Sequence, residues 1–560
     1  MIVADVRRSQ LVTTFGIGGM YPAQDQSLMI CGLDEWRENA CRPITEPRLA
    51  RSLGVRQLKE PPAGLDAGDV PSIRFPRFYF CPECRRLDDI DSFDATGRQP
   101  RCQRCSCVIV PSRFVACCAD GHIDDFPYSR WVHRGAPAEG NHALKLRTRG
   151  ETSALRDIDI ICSCGATRSM DGAFSPGALR GIAICLGRRP WLGDSDPQGC
   201  RQRLRTLQRG SASVWFGNVR SSISIPPWSQ VQDKLDQALE LLRNVPDAAL
   251  MSVFSSADWI PEGSGLTPER LMTMFTALRD APGAVTIPTE ASMRAEEHQA
   301  LLDGHVEMAP TDQFVCTRVS VSDDGLGSVV SEVRNVGRLR EVRALVGFDR
   351  VQPSGASQSP LSREQVDWLP AIEVFGEGLF LELAPDWIDE WSTRPFATLR
   401  SAGIRDAASA LPAPVDASPR HLLVHSFAHA LMNELSLDAG YPVASLRERL
   451  YVGPEQAGVM VYTATSDAAG SLGGLSRQSQ PTKLDRIIRS AMARAQWCSS
   501  DPICIESRGS GTDNLNLAAC HACLLVPETS CELRNTLLDR ALLVGTPDDS
   551  SAGFFSGLLQ

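Results

Sequence analysis

No stretch of the 560-residue chain stays apolar over the roughly 18–20 positions that a membrane-spanning helix needs, which excludes a helical membrane anchor. A second absence is the phosphate-binding loop GxxxxGK[ST], so the chain has no P-loop grip on a nucleotide. The start, MIVADVRRSQLVTTFGIGGMYP, lacks the basic head, long apolar core and small-residue cleavage site of a secretory leader, and a cytoplasmic location is expected. Without an oxidising compartment, disulfides are not expected either.

Cysteine, by contrast, is abundant, with 19 in the chain. In a reducing setting, clustered thiols point to metal. Cys31, Cys41 and Cys316 stand alone, and the rest fall between Cys81 and Cys200 or between Cys498 and Cys531. Cys81-x2-Cys84 and Cys102-x2-Cys105 have the spacing of a zinc ribbon, in which each knuckle turns two thiolates onto one tetrahedral ion; Cys107 is a substitute. Four thiolates leave no open coordination position, so such an ion is structural. Cys162, Cys164, Cys185 and Cys200 form a second candidate set, and Cys117, Cys118, His122 and His133 could join or replace ligands there. At the C-terminal end the preferred set is Cys504, Cys520, Cys523 and Cys531, with Cys498 as substitute. Two or three zinc ions are expected.

The net charge of −10 conceals an asymmetry. Residues 71–220 carry 23 Lys plus Arg against 15 Asp plus Glu, and all but one of these cations are arginine, which forks onto phosphate. A basic segment in an acidic chain suggests a nucleic-acid face or an acidic partner. Candidate DNA contacts are Arg188, Arg189, Arg201, Arg203, Arg205 and Arg209, with Trp191 and Trp215 for base stacking.

The expected fold class is α+β and multidomain: a loop-rich, zinc-ribbon-containing N-terminal half, a helical middle, and a C-terminal α/β zinc-binding module. The expected boundaries are 1–70 (mixed α/β), 71–230 (rich in cysteine and arginine), 231–410 (mostly helical) and 411–560 (C-terminal module). In the middle region SQVQDKLDQALELLRNV carries Val231, Leu235, Leu239 and Leu242 at helical spacing.

Three motifs invite an enzymatic reading. FGIGGM fails to complete G-x-G-x-x-G and reads as a tight turn. HSFAH places His425 and His429 on one helical face with His421 a turn earlier, but Ser426 stands where a zinc protease carries its general-base glutamate, so a core or partner-facing helix is expected. GSLGGLSR, Gly470 to Arg477, could cradle an anion or simply turn the chain.

HSFAHALMNELSL, VMVYTATSDAAGSLGGL and the CHAC knuckle together resemble the MrfA-type helicase-associated zinc-binding domain. RRSQLVTTFGIGGM, ICGLDEW, GHIDDFPYSRWVH, RRPWLG, LQRGSASVWF and ACHACLLVPETSCE extend the likeness over most of the chain, to the DrmB family of DISARM antiphage defence systems. The resemblance implies a non-catalytic partner of a separate superfamily-2 helicase (DrmA-like), forming a heterocomplex that binds DNA. Two rival readings are a zinc-ribbon regulator that binds only protein and a metal-dependent hydrolase using the His421/His425/His429 helix.

Overall fold

The computed structural model describes the chain except for residues 1–3, 24–25, 65–67, 94–98, 138, 141, 151–153, 226–234, 236–237, 240, 257–258, 260–266, 281–286, 308–311, 322–324, 354–357, 410–414, 464–472 and 560. The fold is α+β and multidomain, as expected. Its two compact units interleave along the chain: Met1–Ile44, Gln57–Arg220 and Arg343–Ile372 form the first, and Thr45–Arg56, Ser221–Val342 and Glu373–Gln560 the second. The compact units therefore do not follow the four contiguous segments expected from composition. The strands Val330–Asp349 and Trp368–Leu383 each run from one unit into the other.

The first unit is built of short pieces. Its largest sheet has six strands of two to five residues, in the order Thr167–Ser169, Ile158–Cys162, Leu144–Thr148, Arg86–Asp89, Phe78–Phe80, Val110–Pro111. A three-stranded sheet places Phe114–Cys117 between Ile123–Asp125 and Arg205–Gln208. The strands are short, and polar devices join them beside a core that includes Phe114, Phe126, Trp131 and Ile160. One is Arg350, fully buried, whose guanidinium donates to the carbonyls of Gly18 (2.8 Å), Gly121 (2.9 Å) and Val214, joining three distant segments. Burial lowers its pKa to about 10, still far above neutrality, so the cation persists.

The second unit contains the larger core. The Pro419–Ala439 helix begins at Ser418, whose hydroxyl accepts from the His421 N–H, and ends at Gly440 in the left-handed conformation. From Leu422 to Met432 it is buried on every side, as a central helix is. Its neighbours are the Pro481–Ala495 helix, the hairpin Leu446–Gly453/Gln456–Thr463, and the helices Pro385–Ser392 and Pro395–Ala408.

The middle region departs from the helical expectation. Helices Asp247–Phe254, Pro268–Asp280 and Glu290–Asp303 are present, but they are followed by the long strands Val330–Asp349 and Trp368–Leu383. Val333, Val336, Leu339 and Val342 sit three apart, which imitates a helical period, yet all four are fully buried in a strand. Val333 joins one hydrophobic cluster and Val336 and Leu339 another. With both faces covered, the period-two alternation that would have revealed a strand is lost. The helix expected around Val231 lies largely outside the described residues; Leu235, Leu239 and Leu242 do pack in a small cluster with Leu250 and Phe254.

Candidate metal centres

Cys81, Cys84, Cys102 and Cys105 converge, their sulfurs all within 4.8 Å of one another. Each CxxC forms a turn: Arg85 N–H donates to the Cys81 carbonyl (3.0 Å) and Ser106 N–H to that of Cys102 (2.7 Å). Both turns close with the next residue left-handed, Arg85 at φ 63° and Ser106 at φ 58°. That conformation costs a non-glycine residue of order 1 kcal/mol, and both knuckles adopt it to aim two sulfurs at one point. Cys107, the substitute ligand, lies 3.3 Å from Cys81 but outside the four-residue group.

The second expected set is not brought together. Cys185 and Cys200 lie with Cys118 and His122, while Cys162 and Cys164 lie with His133 and His142. Sequence spacing could not partition these ligands, because sheet pairing rather than local turns gathers them. His142 was not anticipated at all; the Leu144–Thr148 strand, paired with Ile158–Cys162, carries it to Cys162. Cys117 and Cys118 were equal candidates. Cys118 faces the cluster, and Cys117 is buried elsewhere, its thiol pushed up to about 12 by desolvation.

In both groups the histidines are oriented as metal ligands are. His122 turns Nδ1 to the Cys118 sulfur (3.4 Å), leaving Nε2 3.3 Å from the Asp196 carboxylate. His133 donates Nδ1–H to the Ser129 carbonyl (2.6 Å), which leaves the Nε2 lone pair facing the Cys164 sulfur at 3.3 Å. Metal-bound histidines characteristically fix their far nitrogen on a carboxylate or carbonyl in this way. One thiol of each group is also acidified. Cys118 is lowered to about 5, chiefly by a hydrogen bond from Cys185 and then by His122. Cys164 is lowered to about 6 by the Ala166 N–H and then His133. Thiolates are the form that binds metal, and Cys3His and Cys2His2 are closed zinc shells.

At the C-terminal end the group is Cys498, Cys504, Cys520 and Cys523. The Cys498–Cys520, Cys504–Cys523 and Cys520–Cys523 sulfur separations are 3.4, 3.8 and 3.7 Å. Cys498, the expected substitute, takes the place assigned to Cys531. A buried arginine orders this loop: Arg540 donates to the Ala495 carbonyl (2.8 Å) and pairs with Asp501, whose carboxylate accepts from the Cys498 N–H (2.9 Å). Cys531 instead lies with His425, His429 and Glu448. His521, between the knuckle cysteines, is exposed.

The arginines divide. Arg188 is 3.2 Å from Asp124, and Arg189 forks onto Asp194 (2.8 and 2.7 Å). Arg205 and Arg209 are half-buried, and burial lowers the Arg209 pKa; Arg201 and Arg203 are exposed. Neither tryptophan is free to stack on bases: Trp191 is buried with Nε1 on the Pro360 carbonyl, and Trp215 stacks on Phe348 with Nε1 on the Ile17 carbonyl. Hydrophobicity drew Trp191 into the core, while Trp215 is half-buried.

Gly470–Leu472 lie outside the described residues, but the end of the glycine turn already holds an anion. The buried Glu377 carboxylate accepts from Leu475 N–H (2.9 Å) and Ser476 N–H (3.4 Å). The hydrolase reading loses its site: His425 and His429 are fully buried, His421 points to Asp416 (3.4 Å), and Ser426 accepts from the Asp539 N–H (2.9 Å). Among the described residues, no helix is long and apolar enough to cross a membrane.

Two families match the chain. Residues 7–216 match a domain of unknown function, DUF8724, and residues 427–524 match the MrfA Zn-binding domain. The latter range includes Cys498, Cys504, Cys520 and Cys523. The chain is 31% identical over 566 residues, 96% of its own length and 99% of the relative's, to a protein of Bacillus paralicheniformis named DISARM protein DrmB. None of these descriptions carries a catalytic activity.

Proposed function

The chain belongs to the DISARM protein DrmB family, and from that premise we propose that it is a zinc-stabilised, non-catalytic partner of a superfamily-2 helicase in antiphage defence. It forms a heterocomplex with the helicase in the cytoplasm, scaffolds it and adds contacts to DNA. The observation that carries this reading is the form of the metal groups. Cysteine and histidine ligands gather in fours, with no position left for water or substrate, so the metal builds surface rather than performing hydrolysis. The groups Cys81/Cys84/Cys102/Cys105, Cys118/His122/Cys185/Cys200, His133/His142/Cys162/Cys164 and Cys498/Cys504/Cys520/Cys523 each hold one structural zinc, more than the two or three ions the sequence suggested.

The phosphate contacts come from Arg201 and Arg203, which are exposed, with Arg205 at the margin. Two exposed arginines in an acidic chain make a supplementary grip, and the helicase supplies the remainder. The test is co-purification with a DrmA-like superfamily-2 helicase, followed by DNA affinity of the complex at several salt concentrations. Association is expected, and Arg201→Glu with Arg203→Glu lowers the slope of log affinity on log salt by about 2. No association, or binding indifferent to salt, refutes the reading. The protein-only alternative is favoured by the internal pairing of Arg188 and Arg189; it predicts complex formation with a salt slope unchanged by the same double variant.

A further inference from the structure

The strand Leu446–Gly453 has the sequence LRERLYVG and is buried over most of its length, yet Arg447, Glu448 and Arg449 stand in its middle. Arg449 is accounted for by a forked pair with Glu297 at 2.7 and 2.8 Å. Glu448 is not. It points to the opposite face of the strand, against the Pro419–Ala439 helix, where it is fully buried and, among the described residues, faces no lysine or arginine within salt-bridge distance. Its partners are His425, with Nε2 3.1 Å from Oε1, His429, with Nε2 3.4 Å from Oε2, and the Glu532 N–H, 3.2 Å from Oε1. Cys531 completes the group, its sulfur 3.2 Å from His425 Nε2.

The hydrogen bonds of this group do not close by themselves. His429 Nδ1 is 2.8 Å from the Leu524 carbonyl, which can only accept, so Nδ1 carries the proton. A neutral His429 then turns the Nε2 lone pair on Glu448 Oε2, a second acceptor, and neither atom has a hydrogen-bond partner although both are buried. The Cys531 sulfur accepts from the Asn535 N–H at 3.2 Å. An uncompensated buried carboxylate is too costly to leave in place.

We propose that His425, His429, Glu448 and Cys531 bind a zinc ion, a structural centre separate from the Cys498/Cys504/Cys520/Cys523 site. Its coordination is His2GluCys: Nε2 of both histidines, one Glu448 oxygen and the Cys531 sulfur. The separations of 3.1–3.4 Å approach the edge, about 3.3–3.8 Å, of a tetrahedron built on ordinary Zn–N, Zn–O and Zn–S bonds. Carboxylate and thiolate together carry two negative charges, so a divalent ion renders the buried group neutral. The Leu524 carbonyl on His429, the Glu532 N–H on Glu448 and the Asn535 N–H on Cys531 are the outer hydrogen bonds that orient metal ligands. The ion ties the helix, the hairpin and the loop after the CHAC knuckle. The MrfA Zn-binding domain match, 427–524, contains neither His425 nor Cys531, so the centre draws on residues beyond that match.

The alternative is a metal-free cluster in which a doubly protonated His429 donates to Glu448. Zinc-edge anomalous scattering from crystals of the unsubstituted full-length protein separates the two. A peak is expected between the four side chains; a map with peaks at the cysteine groups and none here overturns the proposal, and a signal at the iron edge alone overturns the assignment to zinc. In solution, elemental analysis should find one zinc fewer in Cys531→Ala, one fewer in Cys498→Ala, and two fewer in the double variant. Soluble Cys531→Ala with undiminished zinc also refutes the centre, and if that variant does not fold, the map on the native chain decides.

Discussion

The Cys81–Cys105 ribbon and the His425–Cys531 group are opposites in construction. The ribbon comes from two tight turns within 25 positions, flanked by short strands and a small core that includes Tyr79, Ile90 and Phe93. The second group spans more than a hundred positions and takes its members from a helix, a strand and a loop inside the largest core of the described residues. In the first, a metal would substitute for packing. In the second, packing already fixes the four side chains, and an ion would serve to neutralise charge. The same contrast separates local from global stability, and several substitutions would break or sharpen it.

The largest effect is expected where a buried charge loses its partner. Arg449→Met takes from the buried Glu297 its forked partner and leaves it only Arg48 at 3.8 Å and the Ile223 N–H, at about 3–5 kcal/mol. Chemical denaturation should show the loss in the transition of the second unit. Replacing Cys81 and Cys102 together by serine should instead act locally. Amides around 78–111 should exchange roughly a thousandfold faster, about 4 kcal/mol, while those of the Pro419–Ala439 helix keep their protection. Uniform loss across the chain would contradict the contrast.

Arg350→Met tests whether the first unit relies on metal alone. It removes a cation serving three carbonyls, and about 2–4 kcal/mol should be lost in thermal unfolding with zinc content unchanged. A smaller effect, about 1 kcal/mol, is expected for Ser426→Ala, which deprives the Asp539 N–H of its acceptor. Smallest of all, Arg201→Ala and Arg203→Ala should shift stability by no more than about 0.5 kcal/mol, since both side chains are exposed.

Zinc affinity should fall with acid at every group, because protons compete for thiolate and imidazole. Cys118 and Cys164, held at about 5 and about 6, resist protonation further into the acid range than an ordinary thiol. Zinc release followed with a chromogenic chelator should increase as pH is lowered, and no release on acidification would contradict thiolate ligation.

What the sequence determined by itself is whatever is written in short-range geometry. A CxxC turn needs only four residues, so the two ribbon knuckles and the CHAC knuckle were legible, as was the helix that carries HSFAH. Tertiary structure decided everything that depends on which segments meet. It divided Cys162 and Cys164 from Cys185 and Cys200, brought in His142, and exchanged Cys531 for Cys498. It turned a three-residue spacing of valines and leucine into a strand covered on both faces. It also drew Trp191 into the core and paired Arg188 and Arg189 with nearby carboxylates. The reason is common to all of these. A residue's type states which partners it can accept, whereas the partner it receives is set by burial, which depends on contacts remote in the chain. One signal was present and went unread: a glutamate in the middle of an otherwise buried strand, LRERLYVG, with two histidines one turn apart on a helix upstream. Such a charge is retained only where something neutralises it, and the fold shows it between His425, His429 and Cys531.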